Sequence, residues 1–344
     1  MSEIATKTDP RQLGWSIRGP VVRLREVGTE TTHDVTSRPL VFGTHVDCDV
    51  VLNDPEGLIS RRHARVETHD AICTITDLDS TNGITVDGKP HRSVELIPGD
   101  TIQIGSKRFV AESASSIELF GLLRRFLGWS PSRISEVDHA LHVLRDVAHL
   151  RASLILRGHG SLIGIARRLH EALLGASQPF VVHDGKESGV DAQNRAYDGT
   201  LVLDGEKLPR DIQLVLVSLR LPNVRARLII TANTAEAAAE VATMIRVVGR
   251  VTLPPLRDRA DELERIIESY ARDAAHALGA SSPALGPHDI EWVRKDKVET
   301  DEDLEMLVMR IVAVRNWGIT EAARRLGMSH GALSRYMQRH GIAT

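Results

Sequence analysis

The hydrophobic pattern of the chain changes twice along its length, and this change constrains the fold more than any other feature. Between residues 18 and 112, short runs rich in β-branched residues are separated by Gly, Asp, Asn and Pro, which is typical of an all-β sandwich. From about 153 to 255, short apolar runs alternate with helical periods, which indicates a parallel α/β sheet. Residues 301–344 show only helical periodicity. The sequence therefore predicts a multidomain chain.

The domain boundaries follow from the same pattern. We predict a β-sandwich over 18–112, a linker over 113–118, an α/β domain over 119–300 and an all-α domain over 301–344. The linker is assigned because its first residues are small and polar. Strands of the sandwich are predicted at 21–26, 40–42, 50–52, 64–68, 72–77, 84–86 and 101–104.

The all-α domain divides into three predicted helices. These cover 304–316, 321–326 and 330–339, with Thr320 and Ser329 as the N-caps of the second and third. The first helix carries an apolar stripe. This stripe could form a homodimer contact or could pack on the two helices that follow it, and we favour the homodimer.

The composition excludes several classes of protein. Of 344 residues, 42% are hydrophobic, which is enough for packed cores, so a largely disordered chain is not expected. The two cysteines have no CxxC spacing, so neither a disulfide scaffold nor a metal site is predicted. The first residues lack the apolar stretch of a secretory signal, and no long uncharged apolar run follows. We therefore expect a cytoplasmic protein without a membrane segment.

Three motifs occur in order within the predicted sandwich. They are Phe-Gly-Thr at 42–44, Ile-Ser-Arg-Arg-His-Ala at 59–64, and Asp-Leu-Asp-Ser-Thr-Asn-Gly at 77–83. This set resembles the forkhead-associated (FHA) domain, a β-sandwich that binds phosphothreonine, and the resemblance covers about 18–112. It implies a phosphothreonine-containing partner protein, or a phosphothreonine on another copy of this chain.

The residue types in these motifs suit a phosphate. A phosphate carries nearly two negative charges and several acceptor oxygens, so its site needs a hydroxyl and a guanidinium, which Ser60 and Arg61 supply. By the resemblance, Thr81 assists and Asn82 holds the backbone of the bound peptide. His63 is expected to brace the loop.

One position departs from the family. Where the family has an arginine that contacts the phosphate, this chain has Thr44, which we keep in the predicted site. The loss of one charge-assisted contact would cost about 1.5–3 kcal/mol, or about ten- to a hundred-fold in affinity. The alternative is a sandwich retained for protein contacts without phosphate affinity.

The middle of the chain has a loop where a phosphate-binding loop belongs. Residues 157–164, Arg-Gly-His-Gly-Ser-Leu-Ile-Gly, lie between a predicted strand and a predicted helix. Further segments follow in order, among them Leu-Val-Leu-Asp-Gly at 201–205 and Leu-Pro-Pro-Leu-Arg-Asp-Arg at 253–259. Over about 119–280 the chain is similar to the AAA+ domain of sigma-54 enhancer-binding activators.

The catalytic parts of that family are missing. The loop has no lysine, and the Walker B aspartate, Asp204, is followed by Gly205 instead of an acid. No segment resembles the family's sigma-contacting loop. We therefore predict a degenerate AAA+-like domain with a vestigial site at Gly158, Gly160 and Asp204, no cofactor and no enzymatic activity. Weak nucleotide binding without turnover stays open.

The end of the chain has a helix-turn-helix pattern. Residues 320–342, TEAARRLGMSHGALSRYMQRHGI, resemble the Fis-type motif that ends the same activators. From residue 313 onward there are five arginines and one acid, a local excess of basic residues that suits DNA. By the resemblance, the residues that face bases are His330, Ser334 and Arg335. Arg339 and Arg324 lie nearer the phosphates. The alternative is a three-helix packing module.

Together these features predict a bacterial transcription regulator. Its FHA domain would read a phosphothreonine, and its terminal helices would bind double-stranded DNA, without ATPase or sigma-54-remodelling activity. The alternative function is a phospho-dependent protein–protein scaffold without a specific DNA target.

Overall fold

The amino-terminal region is a sandwich of two β-sheets. The computed structural model describes residues 19–150, 152–219, 221, 225–245, 248–295 and 298–342. The strands of the sandwich are β1 (Arg23–Glu26), β2 (Thr32–Asp34), β3 (Leu40–Gly43), β4 (Val50–Val51), β5 (Ala64–His69), β6 (Ile72–Asp77), β7 (Ile84–Val86), β8 (Lys89–His91), β9 (Ser93–Leu96), β10 (Thr101–Ile104) and β11 (Lys107–Glu112). One sheet has the order β2-β1-β11-β10-β7-β8 and the other β4-β3-β5-β6-β9.

The core of the sandwich comes from alternate residues of both sheets. Leu24 and Phe109 face inward from one sheet, and Phe42 and Ile75 face inward from the other, all fully buried. The rings of Phe42 and Phe109 meet edge to face across the sheets, with centroids 5.5 Å apart. This core fixes the loops at the ends of the strands.

Residues 113–118 are not the linker that their composition predicted. Ser113 is the N-cap of α1 (Ala114–Leu127), and it forms a reciprocal capping box with Ser116. Both serines are buried. The small polar residues are therefore the hydrogen-bonding start of a helix, and the sandwich continues directly into α1.

The middle region is a parallel α/β sheet. After α1 come a 3-10 helix at Pro131–Arg133 and α2 (Ile134–Leu150). The sheet has the strand order β13-β14-β15-β12-β16 and is parallel throughout its described pairings. Its elements are β12 (Ser153–Arg157), α3 (Ile163–Leu174), β13 (Phe180–Val182), α4 (Gly189–Arg195), β14 (Thr200–Asp204), α5 (Ile212–Ser218), β15 (Arg227–Ala232), α6 (Ala235–Met244) and β16 (Val248–Thr252).

A buried ion cluster joins the sandwich to α1 and α2. Arg25, which is 1% exposed, donates to Glu112 at 2.8 Å and to Asp138 of α2 at 2.6 Å. Its guanidinium lies 4.1 Å from the ring centre of Phe120 in α1. Burial opposes the charge, but the two carboxylates outweigh it, so the pKa of Arg25 is raised.

The carboxy-terminal helices share one core that begins well before residue 301. A 3-10 helix at Leu256–Glu262 leads into α7 (Leu263–Leu278), α8 (Pro287–Lys295), α9 (Asp301–Arg325) and α10 (His330–Arg339). Their buried residues form a single cluster from Leu256 to Ile342. The boundary predicted at residue 300 is therefore wrong, because α7 and α9 cover each other's apolar faces.

The apolar stripe of α9 is used inside the chain. Leu307, Val308 and Ile311 are at most 1% exposed and belong to the same core as α7. Of the two predicted contacts of this stripe, the structure shows packing within the chain. The stripe packs on α7 as well as on α10. The stripe is not available for the homodimer contact that we favoured.

The predicted break between the first two terminal helices occurs at a glycine. Gly318 has φ +69° and ψ 169° inside α9, so the chain kinks there, and Thr320 lies after the kink and is not the N-cap. Ser329 does cap α10, because its side chain accepts from the backbone N–H of Ala332 at 3.2 Å. No helix in the described ranges is long and apolar enough to cross a membrane.

Candidate functional site

The predicted phosphate site lies where three loops of the sandwich meet. They follow β3, β4 and β6 and carry Thr44, Ser60 and Thr81 respectively. The Oγ of Ser60 accepts from the backbone N–H of Thr81 at 3.0 Å and lies 3.4 Å from its Oγ1. The backbone N–H of Thr44 donates to the carbonyl oxygen of Ser60 at 3.2 Å. The structure thus brings together residues that are up to 37 positions apart in the sequence.

His63 links two of these loops from inside the domain. Its side chain is fully buried. Its Nδ1 accepts from the backbone N–H of Ser60 at 3.1 Å, so its Nε2 carries the proton and donates to the carbonyl oxygen of Gly83 at 2.9 Å. His63 therefore holds the loops together and does not face a ligand.

Asn82 lies exposed beside the serine loop. Its Nδ2 donates to the carbonyl oxygen of Leu58 at 2.8 Å. The nitrogen end of its side-chain amide is thus bonded to the preceding loop, and the residue as a whole is exposed. In this position it can meet the backbone of an extended peptide.

Side chains to which the motif interpretation gave no role shape the serine and Thr81 loops. The Oγ of Ser80 donates to Asp77 at 2.5 Å and accepts from the backbone N–H of Gly83 at 2.9 Å. Asp54 similarly accepts from the backbone N–H of Ile59 at 2.6 Å. The signal for these residues was present, because Asp and Ser ahead of a glycine are typical of side-chain-closed turns.

Two arginines follow Ser60 on the serine loop. Arg61 and Arg62 are both exposed, and neither has a carboxylate partner among the described residues. Arg92, by contrast, donates to Asp79 at 2.9 Å. An exposed guanidinium without a carboxylate partner is a group that binds anions with several acceptor oxygens.

Comparison with known proteins identifies this region. The sequence profile of the FHA domain family matches residues 40–105. The amino-terminal sandwich is an FHA domain. The match includes the loops that carry Thr44, Ser60, Arg61, Thr81 and Asn82.

Similar curated proteins match over about a fifth of the chain. The oxoglutarate dehydrogenase inhibitor of Corynebacterium diphtheriae is 38% identical over 68 residues, which is 20% of this chain and 46% of that protein. The glycogen accumulation regulator GarA of Mycobacterium tuberculosis is also 38% identical over 68 residues, 20% of this chain and 41% of its own length. The chain thus covers less than half of the length of either relative.

Solved structures match the sandwich as well. One comes from work on phosphothreonine-dependent FHA domain interactions; it is 27% identical, with a TM-score of 0.25, and the match covers 26% of this chain and 94% of that one. Another is EmbR of Mycobacterium tuberculosis in complex with a low-affinity phosphopeptide, 26% identical, with a TM-score of 0.25, covering 26% of this chain and 24% of EmbR. The AAA+-like and Fis-type resemblances have no support in these matches and stay predictions.

The loop of the middle region that was predicted to be a vestigial nucleotide site is partly covered by the chain itself. Gly158 and Gly160 lie in the loop between β12 and α3, where Leu162 is only 3% exposed. A Cβ atom at residue 160 would lie 2.4 Å from Cγ2 of Thr300, the residue that caps α9. Asp204, at the end of β14, accepts from the backbone N–H of Glu206 at 3.0 Å.

The predicted DNA-contacting residues lie on and beside α10. Leu333 and Met337 anchor this helix in the core, and at 100° per residue Arg335 and Arg339 lie on the opposite, exposed face. His330 is exposed at the start of the helix. The exposed basic face is therefore real, although the predicted residues do not all share it.

Two of the predicted DNA-contacting residues are less accessible or already form an ion pair. Ser334 is partly buried. Arg324 is exposed but donates to Glu321 at 2.6 and 2.8 Å. Hydrogen bonds from Arg324, with a further one from Arg325, lower the pKa of Glu321 to about 2. Glu321 therefore offsets part of the positive charge next to the turn.

Proposed function

We propose that the FHA domain of this chain binds a phosphothreonine-containing protein, either a separate partner or another copy of the chain. The observation that carries the proposal concerns Arg61, which is exposed and has no carboxylate partner among the described residues. It lies where the loops that carry Ser60, Thr81 and Asn82 meet, a place we call the loop junction. FHA domains bind phosphothreonine-containing proteins, and the family profile covers this junction.

The missing arginine at position 44 sets the expected strength. Thr44 can offer a hydroxyl but no charge, so Arg61 is the main cation at the junction and Arg62 the second. Relative to an FHA domain with an arginine at position 44, the affinity should be about ten- to a hundred-fold weaker. Binding in the micromolar range or weaker would fit this expectation.

The test uses peptide pools. The full chain is titrated into a fluorescent pool of phosphothreonine peptides with randomised flanks and into the same pool without phosphate. We expect binding of the phosphorylated pool only, and a loss of at least ten-fold in Arg61→Gln. Arg108→Gln, an exposed arginine on the outer face of β11, is the control and should bind like the parent chain. Equal binding of both pools would refute the proposal.

We further propose that the terminal helices bind double-stranded DNA, so that the chain is a transcription regulator. The support is the basic face of α10, where Arg335 and Arg339 have no carboxylate partner in the described part of the chain. This proposal does not include a homodimer, because the apolar stripe of α9 is buried in the core of the chain.

Fragmented genomic DNA separates this function from the scaffold alternative. Fragments that stay enriched as salt rises, and that are lost in the Arg335→Gln/Arg339→Gln double variant, would support a regulator with a specific site. Uniform binding that vanishes steeply with salt would favour the scaffold, in which the same helices serve only to pack the chain together.

For the middle region we propose a coupling role without catalysis. The support is the absence of a lysine from 158–164, the buried Leu162 and the contact of Thr300 with the loop. A cavity of about 360 Å³ beside the loop, lined by His159, Arg257 and Arg294 among others, leaves room for a ligand. Phosphate release from ATP above background would contradict the proposal.

A further inference from the structure

The carbonyl group of Arg61 accepts two hydrogen bonds and lies close to a glycine. Its oxygen accepts from the backbone N–H of His45 at 3.0 Å and from the Sγ–H of Cys48 at 3.1 Å. A Cβ atom at residue 43 would lie 2.2 Å from this oxygen, so only glycine allows the two loops to approach. The backbone of Arg61 is thus packed against the turn that follows β3.

This turn is itself closed by a hydrogen bond, and its first and last residues, Gly43 and Cys48, are buried. The backbone N–H of Cys48 donates to the carbonyl oxygen of His45 at 3.0 Å, and Cys48 is only 7% exposed. The neighbouring carbonyl, that of Ser60, accepts from the backbone N–H of Thr44. Two consecutive peptide units of the Ser60–Arg61 segment are therefore fixed by one turn, residues 43–48, which we name the positioning turn.

The side chain of Arg61 has no such support. It is exposed and has no carboxylate partner in the described ranges, so its guanidinium is placed by its own backbone. The turn has also lost the arginine that the family has at position 44. The turn instead fixes the backbone of Arg61, the residue whose side chain provides the main cation of the proposed site.

We propose that the positioning turn orients Arg61 for the phosphate and that Cys48 is a positioning residue of the site. The proposal rests on the proposed phosphothreonine binding. Cys48 does not touch the ligand; its thiol is the one side-chain donor on the Arg61 carbonyl among the described contacts. A thiol is a weak donor, so the expected effect is moderate.

The structure offers a matched control. Cys73 is the other cysteine of the sandwich and is 1% exposed, but it lies within β6, away from the three loops. Burial raises the pKa of its thiol to about 11. Cys73→Ala removes the same atoms from the same domain, so any loss caused by general destabilisation should occur there too.

The experiment compares Cys48→Ala, Cys48→Ser and Cys73→Ala in the full chain. With the phosphothreonine peptide pool, Cys48→Ala should bind about three- to ten-fold more weakly. Cys48→Ser keeps a donor and should stay within two-fold of the parent chain, as should Cys73→Ala. In hydrogen-exchange mass spectrometry without peptide, the segment 43–49 should exchange faster in Cys48→Ala only.

The outcomes separate two failures. If the parent chain binds no phosphorylated peptide, the proposed function fails, while unchanged exchange of 43–49 in Cys48→Ala would by itself overturn the positioning role. If the parent chain binds, then equal affinity of Cys48→Ala, or equal weakening by Cys48→Ser or Cys73→Ala, overturns the proposal.

Discussion

Replacing His63 by alanine would disconnect two of the three loops that form the proposed phosphate site. The ring is fully buried and joins the backbone N–H of Ser60 to the carbonyl oxygen of Gly83, at 3.1 and 2.9 Å. No other side chain in the described contacts bridges these two groups. The variant therefore leaves one donor and one acceptor without their partner.

The expected loss of stability follows from that geometry. A buried polar group left without its partner costs about 1–3 kcal/mol. Ser60 and Gly83 are only partly buried, so water can reach them and the low end of this range applies to each. The lost packing of a fully buried ring adds about 1 kcal/mol. We expect His63→Ala to lower the free energy of unfolding of the sandwich by about 3 kcal/mol.

The assay must follow the sandwich by itself. Residues 19–112 contain no tryptophan, whereas Trp129, Trp292 and Trp317 lie outside it, so fluorescence would follow the rest of the chain. Native-state hydrogen exchange of the paired amides in β5 and β6 measures the opening free energy of the sandwich directly. His69→Ala, whose side chain is 93% exposed, is the control and should change nothing.

A second measurement connects the stability to the site. Under conditions where His63→Ala is still folded, the loops should be less ordered and phosphothreonine peptides should bind at least ten-fold more weakly. A loss of less than 1 kcal/mol in the exchange experiment, together with unchanged peptide affinity, would show that His63 does not brace these loops.

Three further predictions concern other parts of the chain. Arg25→Met should lower stability by about 3 kcal/mol in chemical denaturation, because it leaves Asp138 without its cation and Glu112 with Arg23 alone, whereas the exposed Arg92→Met should change it by less than about 0.5 kcal/mol; similar small changes for both would contradict this. Ser329→Ala should cost about 1 kcal/mol by loss of the α10 cap, read from the transition of Trp317, and no change would refute the cap. The carboxyl group of Glu321 should titrate by NMR near pH 2: its pKa is lowered on folding, so its ion pairs stabilise above its ordinary pKa and are lost as the pH falls toward 2, and a midpoint above 4 would contradict the contact.

The sandwich could be predicted because its pattern is local. Strands predicted at 64–68 and 72–77 lie at Ala64–His69 and Ile72–Asp77, where alternating residues enter the core. The strands that the pattern missed include β2 and β8, each of three residues at the edge of a sheet. Three residues are too few to show a period of two, and β8 contains a proline, which argues against a strand.

The linker at 113–118 and the boundary at residue 300 were predicted wrongly because they depend on contacts that a local pattern does not show. Periodicity identified the apolar face of 304–316 correctly, but it does not say which surface covers that face. The structure covers it with α7, whose residues Ile266, Ile267 and Tyr270 precede it by about forty positions. In the same way, the polarity of Ser113 and Ser116 fits either a linker or a capping box, and only the following helix distinguishes them.

The motifs predict the residue types of the phosphate site but not its framework. Ser60, Arg61 and Asn82 come from the motifs and stay predictions as phosphate-site residues, while their place on neighbouring loops is seen in the structure. The residues that hold those loops act largely on backbone groups, as Cys48 does on the carbonyl of Arg61. Backbone acceptors carry no signature in the sequence, so such contacts become visible only in the structure.

The contacts around α1 give the proposed coupling role a physical route. At one point of this helix, Phe120 lies under Arg25 of the FHA domain. One and a half turns later, Arg125 donates to Asp273 of α7 at 2.6 Å, and Arg168 of α3 donates to the same carboxylate at 2.6 Å. The FHA domain and the helices that carry the basic face of α10 thus contact one helix, which begins directly at the end of the sandwich instead of after a linker. A partner protein bound at Arg61 would therefore be spaced from DNA by packed helices and ion pairs, and the middle region can perform this spacing without hydrolysing a nucleotide.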